Sequence, residues 1–250
     1  MSGWLRVVGL GPGPERWITP EVSEVLAAAS DIVGYHAYVA RLDARPEQRV
    51  HGSDNRDELA RAQHALALAL GGARVVVVSG GDPGVFAMAA AVFEAIEAGP
   101  AAWRALDVAI LPGVTAMLAA AARLGAPLGN DFCAINLSDN LKPWTTIERR
   151  LTLAAQADFV IALYNPASKT RSEQVHAAFA LLRRLRAAET VVAFAAAVGR
   201  PDEAIHLTTL AAADPGRADM RTLILIGAST TRLVAKAAGQ AWVYTPRRMF

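Results

Sequence analysis

Val75 to Val78 are four consecutive valines, and directly behind them runs Ser79-Gly80-Gly81-Asp82-Pro83-Gly84-Val85-Phe86. An unbroken row of β-branched apolar side chains offers no polar face to water. It therefore suits a strand covered on both sides, as in a parallel sheet between helices. The segment that follows is then the carboxyl end of that strand. In open α/β sheets small molecules bind beyond those ends, where glycines let the backbone come close and one carboxylate adds specificity.

The same pattern recurs along the chain. Strand-like runs at 5–8, 108–111, 159–163 and 223–226, apolar except for Arg6, precede Gly9-Leu10-Gly11-Pro12-Gly13-Pro14, Pro112-Gly113-Val114-Thr115, Tyr164-Asn165-Pro166 and Gly227-Ala228-Ser229 respectively. Segments of helical period lie between them. Thr19-Pro20-Glu21 reads as a helix start, with a hydroxyl cap, a proline in the first turn and an acid near the positive end of the dipole; the helix extends to about Ala29. Residues 57–70 predict a helix stopped by Gly71-Gly72, and 85–98 another ended by Gly99-Pro100. Strands alternating with helices predict a mostly parallel α/β architecture. Gly125-Ala126-Pro127-Leu128-Gly129-Asn130-Asp131 interrupts two apolar stretches and predicts a linker between an N-terminal domain over 1–126 and a C-terminal domain over 132–250. The second domain opens on a short strand at 132–137. Ser138-Asp139-Asn140-Leu141-Lys142-Pro143-Trp144 follows, then a helix from Thr145 to about Gln156.

Glycine loops invite nucleotide motifs, and the spacing rejects them. Gly9-Leu10-Gly11 is followed by Pro12-Gly13-Pro14, so the third glycine of a dinucleotide fingerprint is a proline, and no acid closes a second strand in register. No Gly-Lys-Ser/Thr follows any glycine cluster. No Gly-x-Ser-x-Gly elbow and no Ser, His and Asp set mark a covalent nucleophile, and the catalytic residue stays unassigned. Cys133 is the only cysteine, which excludes an internal disulfide and a multi-thiolate metal cluster. His36, His51, His64, His176 and His206 are scattered without metal-ligand spacing, so no metal is expected. Although 53% of residues are hydrophobic, no apolar run reaches the roughly 18 residues of a membrane span. The first residues lack the features of a secretory signal, and a cytoplasmic location is the expectation. A net charge of +2 comes from dispersed arginines in short clusters such as Arg149-Arg150 and Arg183-Arg184. That distribution serves acidic small molecules as well as nucleic acid.

If the strands are parallel, the loops after 5–8, 75–78 and 108–111 leave one sheet edge and converge on one crevice. Asp82 reads as a helix cap, a structural carboxylate or a ligand contact; its place before Pro83-Gly84 fits the cap. Nothing near it in sequence would tune it as a general acid or base. Thr115 can cap the next helix or bond a ligand. Tyr164-Asn165-Pro166-Ala167-Ser168-Lys169-Thr170-Arg171 sets two cations at a helix amino end, where they oppose the dipole and a bound polyanion would offset the cost. Arg200, in Gly199-Arg200-Pro201, is a similar exposed cation.

In this order and spacing, Gly-x-Gly-Pro-Gly at 9–13, Gly-Gly-Asp-Pro-Gly-Val-Phe at 80–86 and Pro-Gly-Val-Thr-Ala at 112–116 resemble the tetrapyrrole methylases, the class III S-adenosylmethionine methyltransferases. The resemblance spans nearly the whole chain. Gly34-Tyr35-His36-Ala37-Tyr38, the 138–144 and 164–171 segments, Val198-Gly199-Arg200 and Thr245-Pro246-Arg247 are similar to the branch that methylates a corrinoid precursor of cobalamin at carbon 17 and contracts its ring. It implies the two-domain tetrapyrrole methylase α/β fold, with a mostly parallel sheet first, a mixed sheet second, the cofactor in the inter-domain cleft, and a homodimer. It implies S-adenosylmethionine as cofactor, lined by Pro12, Gly81, Asp82, Val85, Thr115 and Ala116 from the first domain and by Asn165 and Val198 from the second. The implied partner is a small corrinoid precursor, with no nucleic acid and no membrane. Ser138, Lys142, Lys169, Arg171 and Arg200 are the candidate substrate contacts, since such a precursor carries many carboxylates. A cobalt-containing version of the step stays open, as do a nucleotide-dependent oxidoreductase and a ligand-sensing module. Two departures stand out: Ala196-Ala197 replaces the family's usual Arg-Asn before Val-Gly-Arg, and Arg248-Met249-Phe250 replaces its Gly-Tyr after Thr-Pro-Arg.

Overall fold

The computed structural model describes residues 3–54, 57–168, 171–237 and 241–248. Packing divides the chain into two compact units, Met1–Ala116 and Met117–Phe250.

The first unit contains β1 (Trp4–Gly9), α1 (Pro20–Ala28), β2 (Asp31–Tyr35), α2 (His36–Val39), β3 (Arg49–Ser53), α3 (Glu58–Leu70), β4 (Arg74–Ser79), α4 (Met88–Ala98) and β5 (Asp107–Leu111). Its strands lie in the order β3-β2-β4-β1-β5, and every neighbouring pair is parallel. Alternation along β4 explains why four valines suit this position. Val75 and Val77 pack with Leu5 and Val7 beneath α3 and α4, while Val76 and Val78 pack with Val8, Ile32 and Val22 of α1 on the other face. Each buried valine stabilises the sheet by about 1.5–3 kcal/mol. Thr19 caps α1 as its spacing predicts, accepting from the Val22 amide at 3.3 Å.

Two features depart from the sequence reading. Neither β2 nor β3 has an apolar run or alternation strong enough to mark it, because Asp31, Gly34, Arg49, His51 and Gly52 interrupt the pattern. Helix α4 starts at Met88 rather than at residue 85, because Phe86 has a φ of 54°, which no right-handed helix accommodates. The buried Ser79 hydroxyl accepts from the Met88 amide at 3.3 Å and holds that start.

The second unit contains α5 (Ala116–Leu124, its first residue shared with the first unit), β6 (Gly125–Ala126), β7 (Phe132–Asn136), α6 (Trp144–Gln156), β8 (Val160–Tyr164), α7 (Glu173–Leu185), β9 (Val191–Ala196), β10 (Ala204–Thr209), β11 (Thr222–Ile226), β12 (Arg232–Ala235) and β13 (Ala241–Tyr244). Its main sheet has the order β10-β9-β11-β8-β7, parallel between β7 and β8 and antiparallel elsewhere. Ile147 and Leu151 of α6 and Val175, Phe179 and Leu182 of α7 bury one face of it against Ile135, Ile161, Leu163, Phe194 and Ile224. The Gly/Pro stretch read as a linker is held inside this unit. Gly125 and Ala126 pair in parallel with Val243 and Tyr244, and the Thr245 hydroxyl donates to the Pro127 carbonyl at 2.6 Å.

Candidate functional site

Because β1 lies between β4 and β5, the segments leaving their carboxyl ends are neighbours, and they meet backbone to backbone. The Leu10 amide donates to the Ser79 carbonyl at 2.9 Å, and Gly11 donates to Gly81 at 3.1 Å. Gly9 and Gly113 face each other so closely that a Cβ on either would lie 2.8 Å from the other's Cα and 2.4 Å from the Gly81 oxygen. Gly81 is needed for a different reason, a φ of 73°. A Cβ there would meet nothing nearer than Thr115 Cα at 3.8 Å, so room remains beside Gly81, bordered by Val114, Thr115 and Ala116.

Asp82 ties the second loop to the third. Its Oδ1 accepts from the Gly84 amide at 2.8 Å, folding its own turn, and its Oδ2 accepts from the Gly113 amide at 3.0 Å. This corrects the cap reading. Phe86's left-handed backbone moves the helix start to Met88, where the Ser79 hydroxyl takes the amide that a cap would serve. Pro12, Gly81, Asp82, Val85 and Ala116 are half-buried, and Thr115, directly before Ala116 of α5, is buried. The three loops thus gather all six first-unit candidates at one sheet edge.

In the second unit the chain leaving β7 is laced to the chain leaving β8. Asn165 takes a φ of 51°, a conformation that asparagine adopts more readily than other non-glycine residues. Its Nδ2 donates to Asn136 Oδ1 at 3.2 Å, and that oxygen also accepts from the Ser138 amide at 2.8 Å. Arg171 donates to the Asn165 carbonyl at 2.7 Å and to the Leu137 carbonyl at 3.3 Å. Backbone carbonyls therefore receive this cation at the helix entry, an offset other than the bound polyanion that the sequence reading offered. Burial lowers the Arg171 pKa, with Asp139 opposing that shift. Lys142 is half-buried, with its Nζ 3.4 Å from the Ser138 carbonyl; burial first, and Arg150 second, push its ammonium pKa down. Ser138, Lys142 and Arg171 thus share one loop cluster. Arg200 lies on the turn after β9, where its amide donates to the Ala197 carbonyl at 2.9 Å. Lys169 lies outside the described residues.

Val198 is buried at the start of that turn, and the Gly199 amide donates to Glu203 Oε2 at 2.6 Å. Ala197 has a φ of 50°. An alanine there pays on the order of 1–2 kcal/mol that asparagine or glycine largely avoids. Ala197→Gly is expected to raise the stability of the protein by about 1 kcal/mol, seen as a higher urea midpoint at unchanged slope. A lower midpoint would show that packing of the methyl group outweighs the backbone relief.

Sequence reasoning missed the side chains that hold these loops from a distance. Asn136 receives two loops, the Tyr164 hydroxyl accepts from the Met117 amide at 3.0 Å, and Arg41 reaches the first glycine loop. Apart from the Ser138 amide, two residues from Asn136, their partners lie far along the chain, so spacing carried no signal for them.

The profile of the Tetrapyrrole (Corrin/Porphyrin) Methylases matches residues 5–214. Precorrin-3B C(17)-methyltransferase of Sinorhizobium sp. is 58% identical over 247 residues, covering 99% of this chain and 97% of that protein. The probable cobalt-factor III C(17)-methyltransferase of Salmonella typhimurium is 41% identical, covering 91% of this chain and 93% of that protein. The crystal structure of the methyltransferase CobJ matches with a TM-score of 0.94 at 55% identity, covering 98% of this chain and 100% of that one.

Proposed function

The chain belongs to the tetrapyrrole (corrin/porphyrin) methylases, and from that membership we propose that it methylates precorrin-3B at carbon 17, with contraction of the macrocycle to precorrin-4. The observation that carries the substrate is the 58% identity to the Sinorhizobium enzyme over nearly all of both chains, against 41% to the Salmonella cobalt-factor III enzyme. Cytoplasmic location and a homodimer belong to the same proposal.

S-adenosylmethionine is the proposed donor, and it supplies a methyl group on a sulfonium that is already its own leaving group. The residues present suit it. Glycines bring three backbones together at one sheet edge, and a cradle stays open beside Gly81 that a Cβ would occupy. Pro12, Gly81, Asp82, Val85, Thr115 and Ala116 are the proposed cofactor contacts of the first unit, with Asn165 and Val198 those of the second. The protein's task is then to align the accepting carbon with the methyl group and keep water out, and a bonded network of loops does this better than mobile ones. Ser138, Lys142, Lys169, Arg171 and Arg200 are the proposed substrate contacts. A guanidinium has five N–H donors, so the two carbonyls already held by Arg171 leave others to meet a substrate carboxylate.

Purified protein is incubated with S-adenosylmethionine and either precorrin-3B or cobalt-factor III, and product mass and absorption spectrum are recorded. One added methyl group on the cobalt-free substrate, with the spectrum of a contracted ring, is the expected result. Turnover of the cobalt form alone would move the enzyme to the cobalt-containing version of the step. Turnover of neither, without binding of S-adenosylhomocysteine, would remove the reading.

A further inference from the structure

The segment from Gly34 to Arg41 has no part in the chemistry proposed above, yet its larger side chains press against the loop edge of the first sheet. Tyr38 lies over Gly80 so closely that a Cβ there would meet the phenol ring at 2.8 Å, and Tyr35 packs edge-on against Tyr38 with ring centroids 5.4 Å apart. Behind them the chain turns, with the Arg41 amide donating to the Tyr38 carbonyl at 3.1 Å. The half-buried Arg41 side chain reaches the first glycine loop. One terminal nitrogen donates to the Gly11 carbonyl at 3.1 Å, and the other donates to Leu10 at 3.1 Å and to Gly13 at 2.9 Å.

We propose that Arg41 is a positioning residue of the cofactor site: it holds Pro12 in its place by taking the carbonyls on either side of it. This rests on the reading of these loops as the S-adenosylmethionine site. The loop Gly11-Pro12-Gly13-Pro14 is short of its own means of order. Two of its residues lack an amide proton, and two are glycines with the largest conformational freedom, so it cannot close on itself through a backbone ladder. Its carbonyls need donors from elsewhere. A planar guanidinium offers several donors in a fixed fork and meets three acceptors at once, which a lysine ammonium on a flexible stem does not reproduce. Holding the loop before the ligand arrives removes an ordering cost from binding. Arginine on the turn that follows α2 thus brings to this loop the donors that the loop's own backbone does not supply.

The test is calorimetric titration of S-adenosylhomocysteine into wild type, Arg41→Ala and Arg41→Lys, each with and without low-millimolar guanidinium chloride, beside sodium chloride at the same ionic strength. Arg41→Ala is expected to bind about tenfold more weakly. Guanidinium, but not sodium, is expected to restore part of the loss. Arg41→Lys keeps the charge and most of the stem, so it serves if the alanine variant does not fold; it is expected to lose affinity too, and guanidinium is not expected to rescue it. A residue that served stability alone would shift the urea midpoint without this ion-specific rescue. Wild-type affinity in both variants would overturn the Arg41 role while leaving the cofactor reading intact. Absence of binding to the wild type would overturn both.

Discussion

Gly113→Ala is expected to reduce S-adenosylhomocysteine affinity by at least about a hundredfold and to lower stability by about 3 kcal/mol. Gly113 does not have a positive φ, so alanine is compatible with its backbone and the effect isolates steric contact. The new Cβ would sit 2.4 Å from the Gly81 oxygen, 2.8 Å from Gly9 Cα and 2.9 Å from Gly9 C. All three are backbone atoms. No rotamer change relieves them, and the loops after β1, β4 and β5 have to move apart. That movement strains the bond from the Gly113 amide to Asp82 and the bond from Gly11 to Gly81. Gly71→Ala is the control. Its nearest neighbour would be the Leu68 carbonyl at 3.3 Å on an exposed turn, and a change within about 0.5 kcal/mol is expected. Urea unfolding and calorimetry read both quantities; a Gly113→Ala protein with wild-type midpoint and affinity would mean that the three loops do not share their backbones as described.

Asp82→Asn is expected to weaken S-adenosylhomocysteine binding by about tenfold to a hundredfold and to lower stability by about 1–3 kcal/mol. The carboxylate places one oxygen on the Gly84 amide and the other on the Gly113 amide. Asparagine has a single acceptor oxygen, so one of those amides would face an NH2 group instead. Asp82→Ala removes both acceptors and is expected to cost more on each measure. The two readouts separate two roles. A carboxylate whose only business was the ligand would change affinity and leave the urea midpoint alone, whereas a tie between loops moves both together. Unchanged affinity in both variants would remove Asp82 from the site altogether.

Local chemistry was legible wherever one segment carried its own instruction. The valines of β4 have no polar face, so their strand had to lie inside, and Thr19-Pro20-Glu21 started α1 because cap, proline and acid are neighbours. The three glycine loops could be expected to converge once parallel strands were expected. The second-unit candidates Ser138, Lys142 and Arg171 were chosen for the carboxylates of the substrate that the family resemblance implies, and they lie together in one loop cluster. What was not legible depends on partners far along the chain. His51 had no metal-ligand spacing to mark it, yet its Nε2 lies 2.8 Å from the buried Asp31 and its Nδ1 lies 3.1 Å from His64. Asp82 had a better local reading as a cap, and the strained Phe86 behind it made that reading fail.

By itself the sequence determined the fold class and the strand ends that carry the loops, because short-range patterns of polarity, glycine and proline are sufficient for both, while the methylase family was read from the resemblance of its motifs to known ones. Only the tertiary structure decided how those loops are held. Gly9 and Gly113 are glycines because another backbone lies against them, Asp82 is a tie because Gly113 comes within 3.0 Å, and Arg41 matters because three carbonyls lie in reach of one guanidinium. Hydrogen bonds and steric contact act over ångströms in space, and nothing in the order of residues records which distant atoms a fold will bring to that range.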